Sequence, residues 1–70
     1  MIEVFKTNIK TPVQALSLEA VLKNQFAAAA ISFDLEDCDN ILRIDGISES
    51  DNQIIIETLQ NNGFWCEVLD

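Results

Sequence analysis

The first third of the chain changes from an alternating to a helical hydrophobic pattern. Residues 2–9 alternate between apolar and polar side chains and are rich in β-branched and aromatic residues, which predicts a first strand. A helix is predicted to start with Thr11 as N-cap, followed by Pro12 in the first turn, and to run to about Gln25. Gln14 follows Thr11 by three residues, so the two side chains form a predicted capping box. The apolar residues at helical spacing predict the buried face of this helix: Ala15, Leu18 and Leu22, with Val21 and Phe26 as further candidates.

The middle of the chain predicts a β-hairpin. Residues 29–35 alternate again, with Ile31, Phe33 and Leu35 on one face. A polar turn follows at residues 36–40 and leads into a third strand at 41–45, where the pattern ends in a glycine.

A second helix and a fourth strand complete the pattern. Acidic residues within 48–51 favour a helix N-terminus, and Gly63 is typical of a left-handed C-terminal cap. The buried face of this helix is predicted to carry Ile55, Ile56 and Leu59, and residues 64–69 form the last strand. The order strand, helix, strand, strand, helix, strand predicts an α+β, ferredoxin-like βαββαβ sandwich. Its antiparallel sheet has the strand order 4-1-3-2, with two helices on one face.

Composition narrows the classes of function. The 70 residues, of which 49% are hydrophobic, indicate one folded domain over residues 1–70. The formal net charge is −8 and histidine is absent, so we expect no binding to nucleic acid and none to anionic membrane surfaces. A basic or metal-loaded partner suits this charge better. No apolar run approaches the roughly 20 residues that cross a bilayer, and no signal-peptide pattern is seen, so we expect no membrane insertion and a cytoplasmic location.

The chain resembles the heavy-metal-associated domain family, which includes small copper chaperones and the cytosolic modules of copper-transporting ATPases. Three segments carry the resemblance: residues 5–9 before the first helix, residues 34–36 at the end of the second strand, and residues 62–64 before the last strand. The resemblance covers nearly the whole chain. The resemblance implies the same ferredoxin-like fold and directs attention to the junction between the first strand and the first helix.

The metal motif of that family is missing from this junction. In the family, the motif M-x-C-x-x-C supplies two cysteine thiolates. These are suitable ligands for Cu(I), because soft sulfur ligands bind this soft metal ion well. Here Ile9 stands at the methionine position, and Thr11 and Gln14 stand at the two cysteine positions. A hydroxyl and a neutral amide do not hold Cu(I) tightly, so we expect no cofactor and interpret the junction as a structural helix cap.

The two cysteines leave one alternative open. Cys66 follows the alternation of the last strand and is expected in the core. Cys38 lies in the acidic turn of the hairpin and is expected at the surface, and the strand order places the two too far apart for a disulfide. The alternative function is therefore a metal-handling domain that uses Cys38 in a dimer or takes ligands from a partner. The carboxylates of the turn lack the spacing of a calcium loop.

Catalysis finds little support in these residues. The chain has no histidine, no serine beside a plausible base and no phosphate-binding loop, so we predict a non-enzyme. A ferredoxin-like enzyme or an allosteric small-molecule domain is a weaker third hypothesis, because it requires a pocket.

The face of the sheet away from the helices is the remaining candidate site. One alternation is predicted to face the helices: Phe5, Ile31, Phe33, Leu42, Ile44, Cys66 and Val68. The opposite alternation is predicted to be exposed: Ile2, Val4, Ile41, Trp65 and Leu69. Such a patch predicts binding to an unknown protein partner or self-association through this open face. Scattered exposed apolar residues, or partial cover by the termini, are the plainer interpretation.

Overall fold

The computed structural model describes residues 1–36 and 38–69 and confirms the predicted fold. The elements are β1 (Ile2–Thr7), α1 (Pro12–Gln25), β2 (Ala30–Asp34), β3 (Ile41–Asp45), a short 3₁₀ turn (Glu49–Asp51), α2 (Asn52–Asn61) and β4 (Cys66–Val68). The strands form one sheet in the order β2-β3-β1-β4, which is the predicted 4-1-3-2 order counted from the other edge. All three strand pairs are antiparallel.

A single hydrophobic core lies between the helices and one face of the sheet. The central strands contribute Phe5, Leu42 and Ile44, which are fully buried. From the helices the core receives the predicted residues Ala15, Leu18, Leu22, Ile55 and Leu59. Ile56, also predicted to be buried, is only half-buried, and so are the further candidates Val21 and Phe26.

Three strands are shorter than their sequence patterns predict. β2 is shorter by one residue at each end, whereas side chains replace the sheet hydrogen bonds at one end of β1 and of β4. The Thr7 hydroxyl donates to the Asn40 carbonyl at 2.6 Å and accepts from the Ile9 backbone N–H at 3.1 Å. β1 therefore ends at Thr7, and Ile9 packs into the core from the loop. Before β4, the Trp65 backbone N–H donates to the Asn8 side-chain oxygen at 2.9 Å.

The edge position of β4 also exposes part of its core-facing side. Cys66 is buried as predicted, and Val68 lies on the same face because its cross-strand partner is Phe5. Val68 is nevertheless exposed, since β4 has a neighbouring strand on one side only. The prediction that Val68 faces the helices is right, but the residue adds little to the core.

The C-terminus of α2 is closed by a Schellman motif. The Phe64 N–H donates to the Leu59 carbonyl at 2.9 Å, and the Gly63 N–H donates to the Gln60 carbonyl at 3.1 Å. Gly63 has a φ of +86°, which confirms the predicted left-handed cap. This turn leads the chain directly into β4 beside β1.

Candidate functional site

The junction between β1 and α1 is built as a helix cap. The Thr11 hydroxyl accepts a hydrogen bond from the Gln14 backbone N–H at 3.2 Å. In return, the Gln14 side-chain oxygen accepts from the backbone N–H groups of Lys10 and Thr11, at 3.0 and 3.4 Å. The predicted capping box is therefore confirmed. Both side chains at the positions of the family's cysteines are engaged in holding the start of α1.

The two thiols differ in their exposure to solvent. Cys38 is exposed and Cys66 is buried, and both are free, as predicted. Burial raises the pKa of the Cys66 thiol from its ordinary 9.0 to about 12, so this thiol stays protonated at neutral pH. Among residues 1–36 and 38–69, no group of three or more histidine, cysteine or acidic side chains is arranged to hold a metal ion. Asp37, which the sequence places beside Cys38 in the acidic turn, lies outside the described residues.

The open face of the sheet is organised in rows by the strand register. Val4 on β1 is opposite Arg43 on β3, and on its other side the Leu69 N–H donates to the Val4 carbonyl at 2.8 Å. The next row contains Lys6, which has Ile41 and Glu67 as its two cross-strand partners. Apolar and charged side chains thus alternate along the strands of this face.

Ile41 is a correction to the predicted patch. It is only 5% exposed, although no helix covers this face of the sheet, and it is not a member of the main core cluster. Its cross-strand partners are Lys6 and Asp34, and the Lys6 ammonium lies 3.7 Å from an Asp39 carboxylate oxygen. We attribute the burial of Ile41 to Lys6, whose long apolar stem can cover a neighbour while its ammonium group reaches water and the Asp39 carboxylate.

The four other predicted residues do not form one continuous patch. Ile2, Val4 and Leu69 lie at one end of the open face, and Ile2 and Leu69 are exposed while Val4 is half-buried. Trp65, with 43% of its surface exposed, lies at the other end beside Asn8. Four residues of extended chain separate Trp65 from Leu69, or roughly 13 Å, and the Lys6–Glu67 row crosses this gap.

A second exposed apolar feature was missed by the sequence analysis. Val13 and Leu16 on α1 are 77% and 67% exposed, more than any large apolar residue of the open face. The sequence contains a signal for them, because Val13, Leu16 and Ala20 repeat at helical spacing but are offset from the buried set. α1 is therefore apolar on its outer side as well as toward the core.

No ligand-sized pocket is found among the residues that the structure describes. Neither α1 nor α2 is long and apolar enough to cross a bilayer.

Comparison of the chain with protein-family models, with curated proteins and with solved structures gave no match.

Proposed function

We propose that this chain is a non-catalytic protein-binding domain of the heavy-metal-associated type, without that family's metal site, and that it acts in the cytoplasm. The observation that carries the proposal is the open face of the sheet, which presents Trp65 at one end and Ile2 with Leu69 at the other. Exposed tryptophan is enriched among the residues that dominate binding energies. The charged row between the two apolar ends can fix the orientation of a partner.

The partner that suits the net charge of the chain is a basic protein. With a formal net charge of −8, the chain attracts positively charged proteins over distances up to about a Debye length and repels acidic ones. Electrostatic attraction of this kind raises association rates more than final affinity. Binding of the partner is therefore expected to weaken as the salt concentration rises.

The capped junction supports binding through a surface over carriage of a metal. Thr11 and Gln14 satisfy backbone N–H groups at the start of α1, and neither is a soft ligand. A helix start that is closed by its own side chains has a structural role in the domain.

Site-specific photo-crosslinking in cells that express the protein tests the proposal. A benzophenone amino acid replaces Trp65 in one variant and Glu57, an exposed residue of α2, in a matched control. We expect a discrete adduct with a basic protein from position 65 only, lost when Val4→Asp is added to the same variant. Binding of the identified protein to the purified domain should weaken between 0.05 and 0.5 M NaCl. Equal adducts from both positions, or none from position 65, would contradict the proposal.

A further inference from the structure

We infer that two copies of this chain associate edge to edge through antiparallel pairing of their β2 strands, which creates one continuous eight-stranded sheet. In the described part of the chain, β2 lies at the end of the sheet and pairs only with β3. Its sequence contains no proline, glycine or lysine, the residues with which natural proteins often block an exposed strand edge. This surface is separate from the open face and the inference does not depend on the proposed function.

The sequence of β2 is self-complementary in the antiparallel direction. A two-fold axis at Ser32 places Ile31 opposite Phe33 of the second copy, and Ala30 opposite Asp34 of the second copy. Apolar side chains therefore meet apolar ones, and no like charges stand directly opposite each other. The two serines at the axis are small and polar.

The core-facing side chains of β2 are incompletely covered in a single copy. Ile31 and Phe33 pack against the core but are only half-buried, whereas their cross-strand partners Ile44 and Leu42 on β3 are fully buried. A strand added beyond β2 would cover the open side of Ile31 and Phe33. The added burial is the kind of gain that drives strand pairing at sheet edges.

One flank of α1 indicates that the β2 edge binds a second copy of the chain and not an extended peptide. The Lys23 ammonium donates to the Ala29 carbonyl just before β2, so this flank of α1 lies above the β2 edge. Gln25 marks the opposite flank, because it accepts a hydrogen bond from Thr58 of α2 at 2.9 Å. Leu16 precedes Lys23 by seven residues, or two helical turns, and therefore lies on the β2 side.

Edge pairing would bring the α1 helices of the two copies side by side. With strands about 4.8 Å apart, two helices that each lie over the outer part of their sheet come within about 10 Å, which is a packing distance for helices. The 67%-exposed Leu16 is then covered by the second α1. A peptide strand bound at the same edge would leave Leu16 in water.

The distribution of charge also favours this edge for contact between copies. Residues 8–33 carry only Lys10, Glu19 and Lys23, a net charge of +1 within a chain of −8. Two acidic side chains still have to be considered at this edge. Asp34 belongs to β2 itself, and Asp45 is the cross-strand partner of Ala30. Asp34 of the second copy would then lie two strand spacings from Asp45, or roughly 10 Å, a distance at which salt screens repulsion. Salt should therefore strengthen the dimer.

Sedimentation equilibrium of the full chain at 0.05 and 0.5 M NaCl tests the inference. Ser32→Asp places like charges opposite each other at the two-fold axis, and Ser17→Asp adds the same charge on the outer side of α1 as a matched control. We expect a reversible dimer whose dissociation constant falls at high salt. Ser32→Asp should raise the dissociation constant about tenfold, whereas Ser17→Asp should change it by no more than about twofold. Leu16→Glu, which changes an exposed helix residue, should weaken the dimer in the same way and does not depend on the folding of β2.

Other results would overturn the inference. A wild-type chain that stays monomeric to about 1 mM would do so, as would equal affinities of the Ser32→Asp, Leu16→Glu and Ser17→Asp proteins. Loss of the dimer in Trp65→Ala, with Ser32→Asp unaffected, would assign self-association to the open face instead.

Discussion

At the scale of single residues, Thr11 and Gln14 determine what the β1–α1 junction can do. Each side chain accepts hydrogen bonds from backbone N–H groups that would otherwise lack a partner at the start of α1. Two cysteines at the same positions would offer soft ligands but a weaker cap. The chain therefore has a helix start that is stabilised by its own side chains.

Removal of the cap should destabilise the domain. Thr11→Ala takes away the oxygen that accepts from the Gln14 N–H, and we expect a loss of about 1 kcal/mol in the free energy of unfolding. Urea denaturation followed by circular dichroism measures this loss. Ser17→Ala, at an exposed position within α1, is the control and should not lower stability, because alanine is the better helix former. A stability loss in Ser17→Ala as large as in Thr11→Ala would contradict the role of the cap.

Cys66 should make stability depend on pH in the alkaline range only. Its pKa is raised by burial to about 12, against an ordinary 9.0, so the unfolded chain loses the proton first. Below pH 9 both states hold the proton and the thiol contributes no pH dependence. Above pH 9 it lowers the unfolding free energy as pH rises toward 12, by up to about 1.4 kcal/mol per pH unit.

The alkaline effect can be isolated by comparison with Cys66→Ala. We expect the wild-type protein to be the more stable of the two at pH 8, and the difference to shrink at pH 10, because alanine has no proton to lose. Urea unfolding of both proteins under reducing conditions measures the difference, while all other titrating groups are shared. A difference that is constant from pH 8 to 10 would show that Cys66 ionises with similar ease in both states.

At the scale of elements, local signals and distant contacts differ in how well they can be predicted. The start of α1 at Thr11 and the end of α2 at Gly63 depend on residues within one turn, and both were predicted from sequence. The end of β1 was not, because it depends on a hydrogen bond from Thr7 to Asn40, which is distant in the sequence. The burial of Ile41 is likewise set by Lys6 and its ion pair, which alternation alone does not contain.

The end of α2 provides a test at this scale. A Cβ at Gly63 would meet no atom within 4 Å, so the cost of Gly63→Ala comes from the φ of +86° alone. We expect a loss of about 1 kcal/mol in the free energy of unfolding. Gly63→Asn should cost less, because asparagine tolerates the left-handed region better. Equal losses in the two variants, measured by urea denaturation, would argue against backbone strain as the cause.

At the scale of the whole molecule, the candidate binding surfaces of the described residues are the open face and the β2 edge. The open face and the β2 edge carry exposed apolar side chains, and the acidic charge lies mostly outside residues 8–33. The fold itself followed from the sequence, since six elements in order restrict the topology to few choices. The sequence did not predict which exposed residues lie next to each other, because this depends on the strand register. Trp65 lies beside Asn8 and Leu69 lies beside Val4, so the two are separated on the open face.

Our account holds that this domain binds proteins and carries no soft metal. An anaerobic Cu(I) competition titration of the reduced protein, read by native mass spectrometry, tests that claim most directly. We predict no uptake of Cu(I) from a chelator that holds it with micromolar strength, and the same result for Cys38→Ser. Tight uptake of one metal ion per two chains, abolished in Cys38→Ser, would contradict the account and identify the hairpin turn as a shared metal site.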